Sequence, residues 1–126
     1  MPQQKGNMKI LIAEDQPKVV GMLEFYFERT RKDELVTAHS AQEIVDVAKD
    51  NPDIQVVVLD MDCLGGGSVL DAVRSLCPGC RFLLWSGGIV GDEDPKKFGV
   101  DALLSKAEPP IQLLMKLAEL CPGETK

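Results

Sequence analysis

Val56-Val57-Val58-Leu59 is an unbroken apolar run, rich in β-branched residues, that ends on a carboxylate, Asp60. A strand turns alternate side chains to opposite faces, so a run with no polar interruption must be covered on both sides. That excludes a sheet with one face in water and points to a parallel sheet layered between helices. Apolar runs also occupy 8–13 and 81–85, with shorter ones at 35–38 and 100–104; together with 54–59 they predict five strands.

The segments between them carry helical spacing. Pro17 suits a first helical turn, and Val19, Val20, Leu23, Tyr26 and Phe27 share one face. Ser40-Ala41-Gln42-Glu43 has the form of a capping box and introduces a helix with Ala41, Ile44, Val45 and Ala48 inward, stopped before Pro52. Val69, Val73 and Leu76 mark a third helix behind the triplet Gly65-Gly66-Gly67. The stretch 87–95 resists helix and leaves only 95–98 for a turn or two, so a fourth helix is short or irregular. Ile111, Leu114, Leu117, Ala118 and Cys121 define the face of a last helix ended by Pro122-Gly123.

Five strands alternating with about five helices in 126 residues predict an α/β fold with a doubly wound parallel sheet, because parallel neighbours need right-handed crossovers. The pattern does not separate the two strand orders common in this class. We expect one domain over 8–121, a disordered or extended N-terminus at 1–7 and a C-terminal tail at 122–126. The net charge of −6 and the scattered basic residues argue against direct nucleic-acid binding; Arg29, Arg31 and Lys32 read as the solvated end of a helix. No apolar stretch approaches the roughly 20 residues that span a bilayer, and the polar start lacks a signal-peptide core. A cytoplasmic protein with no membrane partner follows.

Of the four cysteines, only Cys77-Pro78-Gly79-Cys80 has a suggestive spacing. One CxxC supplies two ligands where zinc needs about four, and nothing shows that Cys63, Cys121 or His39 completes the set. A redox dithiol opens a helix after a strand, whereas this motif ends one, so Pro78-Gly79 reads as a helix stop beside free, mostly buried thiols. His39 reads as an exposed loop residue.

Chemistry-bearing residues stand at the ends of the apolar runs: Glu14-Asp15, Asp60, Ser86 and Lys106. Parallel strands bring their carboxyl ends to one edge, so these residues can share a pocket. Clustered carboxylates repel unless a cation lies between them, and all-oxygen ligation favours Mg²⁺. Lys106 adds a point charge and Ser86 a short donor, a set suited to phosphoryl transfer onto a carboxylate. The glycine triplet is no P-loop, since no Gly-Lys-Ser/Thr follows; it reads as a tight turn near Asp60.

The acidic pair, the aspartate, the serine and the lysine, in that order and separated by 45, 26 and 20 residues, resemble the receiver domain of two-component response regulators over nearly the whole chain. The resemblance implies a flavodoxin-like sheet of order 2-1-3-4-5 with five flanking helices. It implies that Asp60 accepts phosphoryl from a sensor histidine kinase or phosphotransfer protein. Glu14 and Asp15 would position Mg²⁺ with Asp60, the backbone carbonyl of Asp62 would be a further ligand, and Ser86 and Lys106 would grip the phosphoryl group. Such a protein is no enzyme beyond its own phosphorylation and dephosphorylation, and signals to a downstream protein by contact; the reading admits a homodimer.

The chain also departs from that family. Leu103 stands at the switch position, where an aromatic is usual; Ala107 follows the lysine in place of proline, and Leu64 replaces a loop proline. These changes leave the pocket intact and alter the usual readout through the fourth helix, fifth strand and fifth helix. No DNA-binding domain follows Lys126 in this sequence, which fits a stand-alone receiver or a piece of a longer regulator. Two alternatives remain: a receiver-like interaction module that is never phosphorylated, and a haloacid-dehalogenase-like phosphatase. Asp60-Met61-Asp62 has the DxD form of the latter, but that family opens its domain with the motif and adds an acidic pair after the lysine. Here no acidic pair of that form follows Lys106, only the single Glu108 close behind it.

Overall fold

The computed structural model describes residues 9–14, 17–30, 34–60, 67–87, 94–105, 107–108 and 110–120. Within them strand and helix alternate: β1 (Lys9–Ala13), α1 (Pro17–Thr30), β2 (Glu34–Ala38), α2 (Ala41–Asp50), β3 (Val56–Asp60), α3 (Gly67–Leu76), β4 (Arg81–Ser86), a 3₁₀ turn (Pro95–Phe98), β5 (Ala102–Ser105) and α4 (Pro110–Leu120). Every pairing is parallel, and the strand order is β2-β1-β3-β4-β5. The order that periodicity left open is thus the flavodoxin-like one. The terminal segments 1–7 and 122–126 lie outside the described residues.

The sheet divides the core in two. Leu11, Ala13, Val57, Leu59, Phe82 and Leu84 pack with Ile44 and Ala48 of α2 and Val69, Leu70 and Val73 of α3. Ile10, Ile12, Val56, Val58, Leu83 and Trp85 pack on the other face with Leu23 of α1 and Leu113 and Leu117 of α4. Each position of β3 is buried, as its apolar run requires. A buried side chain of this size contributes about 1.5–3 kcal/mol relative to exposure, so the central strands dominate the driving force.

Local chemistry sets the element ends. Ser40 caps α2 by accepting from the Glu43 amide at 3.2 Å. The reciprocal arm of the capping box is displaced by one residue, because the Glu43 carboxylate accepts from the amide of His39 at 2.6 Å instead of that of Ser40. After α3, Gly79 adopts φ 87° and the Cys80 amide donates to the Cys77 carbonyl at 3.1 Å, forming the predicted helix stop.

Several expectations need correction. The fourth helical element is short and confined to 95–98, as expected, but it is a 3₁₀ turn, so among the described residues four α-helices and this turn stand for the five flanking helices. Asp94 starts that turn by accepting from the Lys96 amide at 3.0 Å, and Gly99 at φ 73° ends it after four residues. The fifth strand begins at Ala102 and not at Val100, because the Asp101 carboxylate takes the Phe82 amide at 2.8 Å where a backbone carbonyl would otherwise serve. The third strand begins at Val56 and includes Asp60. Among the described side chains of α4, Leu113 and Leu117 are buried and Leu120 partly so, whereas Ile111 is 50% exposed. Of the expected face, Leu117 is buried as expected and Ile111 is not part of the docking surface. The side chains of Tyr26, Phe27, Leu114 and Ala118 lie outside the described residues, as do Cys63 and Cys121.

Candidate functional site

The strand order creates a specific place. From β1 the chain goes outward to β2 and then returns past β1 to β3, so the crossovers on either side of β1 diverge. The carboxyl ends of β1 and β3 therefore form the switch point of the sheet, the usual ligand site in open α/β sheets. Ala13 is in register with Leu59, and one step further brings Glu14 beside Asp60 on strands about 4.8 Å apart. Alternation along the strands gives Glu14 the parity of Ile10 and Ile12, and Asp60 that of Val56 and Val58, so both belong to the same face. Glu14 is fully buried and Asp60 is 3% exposed.

The neighbouring strands extend this edge. Asp60 is in register with Trp85, and Ser86, also buried, closes β4 one residue further on. Ser86 in turn pairs with Ser105, the last residue of β5. The structure therefore brings Glu14, Asp60 and Ser86 to one edge, with Ser86 arriving from the alternate pleat. Asp15, Asp62 and Lys106 lie outside the described residues. Leu103 is half-buried, in register with Leu84, and packs against the core beneath α2 and α3.

The opposite edge is built differently. There Lys9 meets Asp53 at 3.2 Å and donates to Asn51 Oδ1 at 3.0 Å, a contact set that joins β1 to the end of α2. Carboxylates withdrawn from water collect at the carboxyl edge, and compensated surface charge at the amino edge.

Two adjacent buried carboxylates repel each other in a medium less polar than water, and a hard divalent cation suits such an all-oxygen donor set. Glu14 and Asp60 fit a Mg²⁺ ion in charge and ligand type. Among the described residues no group of three or more His, Cys, Asp or Glu side chains stands ready to hold a metal. A site here would draw on Glu14 and Asp60, with Asp15 and the Asp62 carbonyl as the further expected donors.

The sequence predicts His39 to be an exposed loop residue. It is exposed, but its ring is engaged: Nδ1 lies 3.1 Å from the carbonyl oxygen of Glu14. Its place directly after β2, next in the sheet to β1, was a signal available from the strand pattern once the strand order is known.

The CxxC pair has no part in this edge. Cys77 is fully buried, and its Sγ lies 3.7 Å from the Ala48 carbonyl and 3.6 Å from that of Asn51. Both Cys77 and Cys80 are free thiols, as expected.

No protein-family model matches the sequence, and no curated protein matches it. Solved structures do. A CheY-like response regulator receiver domain protein from Methanospirillum hungatei is 23% identical, with a TM-score of 0.75 over 91% of this chain and 94% of that one. A chain of the complex between the P1 domain of CheA3 and CheY6 from R. sphaeroides is 14% identical, with a TM-score of 0.75 over 94% and 99%. A response regulator from Burkholderia pseudomallei, solved with a phosphorylated aspartic acid, a calcium ion and citrate, is 18% identical, with a TM-score of 0.70 over 92% and 75%. The chain is a doubly wound α/β protein of the flavodoxin-like class. Within that class its fold is that of the CheY-like receiver domains of response regulators.

Proposed function

We propose that the chain is a phosphoacceptor receiver domain of a two-component phosphorelay. It takes a phosphoryl group from a histidine kinase or phosphotransfer protein onto Asp60 and signals by protein contact. The observation that carries this reading is the pairing of Glu14 and Asp60, both buried, at the switch point of a receiver-type sheet.

In the reaction, a carboxylate oxygen of Asp60 forms a bond to phosphorus as the bond between phosphorus and the donor's imidazole nitrogen breaks. The electron pair departs on that nitrogen. Glu14, Asp15, Asp60 and the carbonyl of Asp62 would hold Mg²⁺, which supplies charge neutralisation at the transferring oxygens. Ser86 would donate a hydrogen bond to a phosphoryl oxygen, and Lys106 would supply an ammonium to balance the charge on another. The burial of Asp60 limits water at the new acyl phosphate. The only chemistry required is the protein's own phosphorylation and dephosphorylation, so no separate substrate is turned over.

Two neighbours support the partners and cofactor. The B. pseudomallei regulator holds a phosphorylated aspartate with a divalent cation, and the R. sphaeroides complex joins a kinase P1 domain to CheY6. No described helix is long and apolar enough to cross a membrane, which is compatible with a cytoplasmic site of action.

A second reading is favoured by Leu103 and by the 3₁₀ turn Pro95–Phe98: a receiver fold that is never phosphorylated. One experiment separates the readings. The protein is incubated with Mg²⁺ and acetyl phosphate and followed by intact mass. A single transient adduct that disappears in Asp60→Asn is the expected result. No adduct on the wild-type protein sinks the phosphorelay reading in favour of the silent module, and multiple-turnover release from varied phosphomonoesters would instead mark a phosphatase.

A further inference from the structure

We infer that His39 is a positioning residue for the acidic end of β1. The inference rests on the phosphoacceptor reading above and extends it to a residue that touches neither the phosphoryl group nor the metal.

Glu14 is held from the β2 side at both of its backbone polar atoms. Its amide donates to the Ala38 carbonyl at 3.1 Å, and its carbonyl lies 3.1 Å from His39 Nδ1. A carbonyl can only accept, so Nδ1 carries the proton in this contact. His39 is itself held, since its amide donates to Glu43 Oε1 at 2.6 Å, and the Glu43 amide donates to Ser40 Oγ at 3.2 Å. The start of α2 thus grips His39, and His39 grips Glu14.

The displaced capping box acquires a reason in this arrangement. Had Glu43 capped Ser40 in the ordinary way, the His39 backbone would lack that anchor. The Glu14 carbonyl opens the peptide bond to Asp15, so fixing it restricts the direction in which the chain leaves β1. Groups that orient ligands from behind commonly change metal affinity by about 10- to 100-fold when removed. An exposed histidine bonded to one backbone carbonyl belongs at the lower end of that range.

The test is Mg²⁺ titration of the full chain, read by the fluorescence of Trp85. It is the single tryptophan, and it lies in register with Asp60. His39→Ala is expected to weaken Mg²⁺ binding about tenfold. His39→Asn, whose Nδ2 can occupy the position of Nδ1, is expected to recover most of the loss. Circular dichroism checks that each variant is folded, and Glu43→Gln supplies an independent perturbation that should weaken binding less than His39→Ala.

If wild-type protein binds Mg²⁺ and takes up phosphoryl while folded His39→Ala binds equally well, the role of His39 is overturned and the receiver reading stands. Failure of His39→Asn to recover affinity likewise overturns it, because the donor at Nδ1 is then not what matters. If wild-type protein binds no Mg²⁺ and gains no adduct, the receiver reading fails and takes the role of His39 with it.

Discussion

Cys77 and Cys80 illustrate how residue chemistry follows placement. Burial pushes the Cys80 thiol up to about 11 from an ordinary 9.0, with Cys77 beside it adding to the shift, and burial raises Cys77 as well. The reactive species is the thiolate, and although a more basic thiolate is the better nucleophile, its scarcity at pH 8 slows alkylation of Cys80 by about tenfold or more relative to a free thiol. Timed iodoacetamide labelling with mass mapping would show this, and rapid labelling of folded protein would contradict it. The sign of the linked stability follows. A thiol whose folded pKa exceeds its unfolded value favours folding while neutral, so that contribution is intact below pH 9 and is lost as pH rises toward 11. Denaturant midpoints should fall across that window. The inert thiols were legible from a CxxC that ends a helix. The engagement of His39 was not, because a backbone carbonyl 25 residues away leaves no mark in the local sequence.

At the scale of an element, α4 is the most instructive. Leu117 is fully buried and Ile111 half-exposed, so truncating each reads the true docking face. Leu117→Ala should cost about 2–5 kcal/mol, as a buried leucine leaving a cavity does. Ile111→Ser should stay within about 0.5 kcal/mol, as exposed substitutions usually do. Chemical denaturation measures both, and equal losses would restore the face through Ile111. The helix itself was readable from its apolar spacing, but the exclusion of Ile111 from its docking face was not. Ile111, Leu113, Leu114, Leu117, Ala118 and Leu120 allow more than one apolar stripe, and contact with β-sheet residues such as Leu83 and Leu104 selects among them. By contrast, the N-terminus of α2 was readable to the residue, because Ser40 acts on an amide three positions away.

At the scale of the whole molecule, the question is what phosphorylation of Asp60 would move. Leu103 belongs to the core under α2 and α3, and the segment before β5 is a four-residue 3₁₀ turn closed by Gly99. Arg74 of α3 reaches across to the Gly99 carbonyl at 2.7 Å and lies over the Phe82 ring at 5.0 Å, joining α3, β4 and that turn. At the carboxyl edge, β5 is joined to β4 by the pairing of Ser86 with Ser105, the contact through which a change at Asp60 would reach 102–105. Beryllofluoride with Mg²⁺ should shift amide resonances of Ala102 to Ser105 as well as those of Asp60 and Ser86. A response confined to the latter two would show that no conformational signal passes through this face. Periodicity alone determined the five strands, the alternation with helices and the placing of acid, hydroxyl and ammonium groups at strand ends, because each of these is encoded by neighbours in sequence. Periodicity left open that β1 lies between β2 and β3, which only the family resemblance implied, and the tertiary structure alone decided that Glu14 stands beside Asp60 and that His39 reaches Glu14. Those facts depend on which distant strands pair, and pairing is chosen by the packing of the whole sheet between its helices.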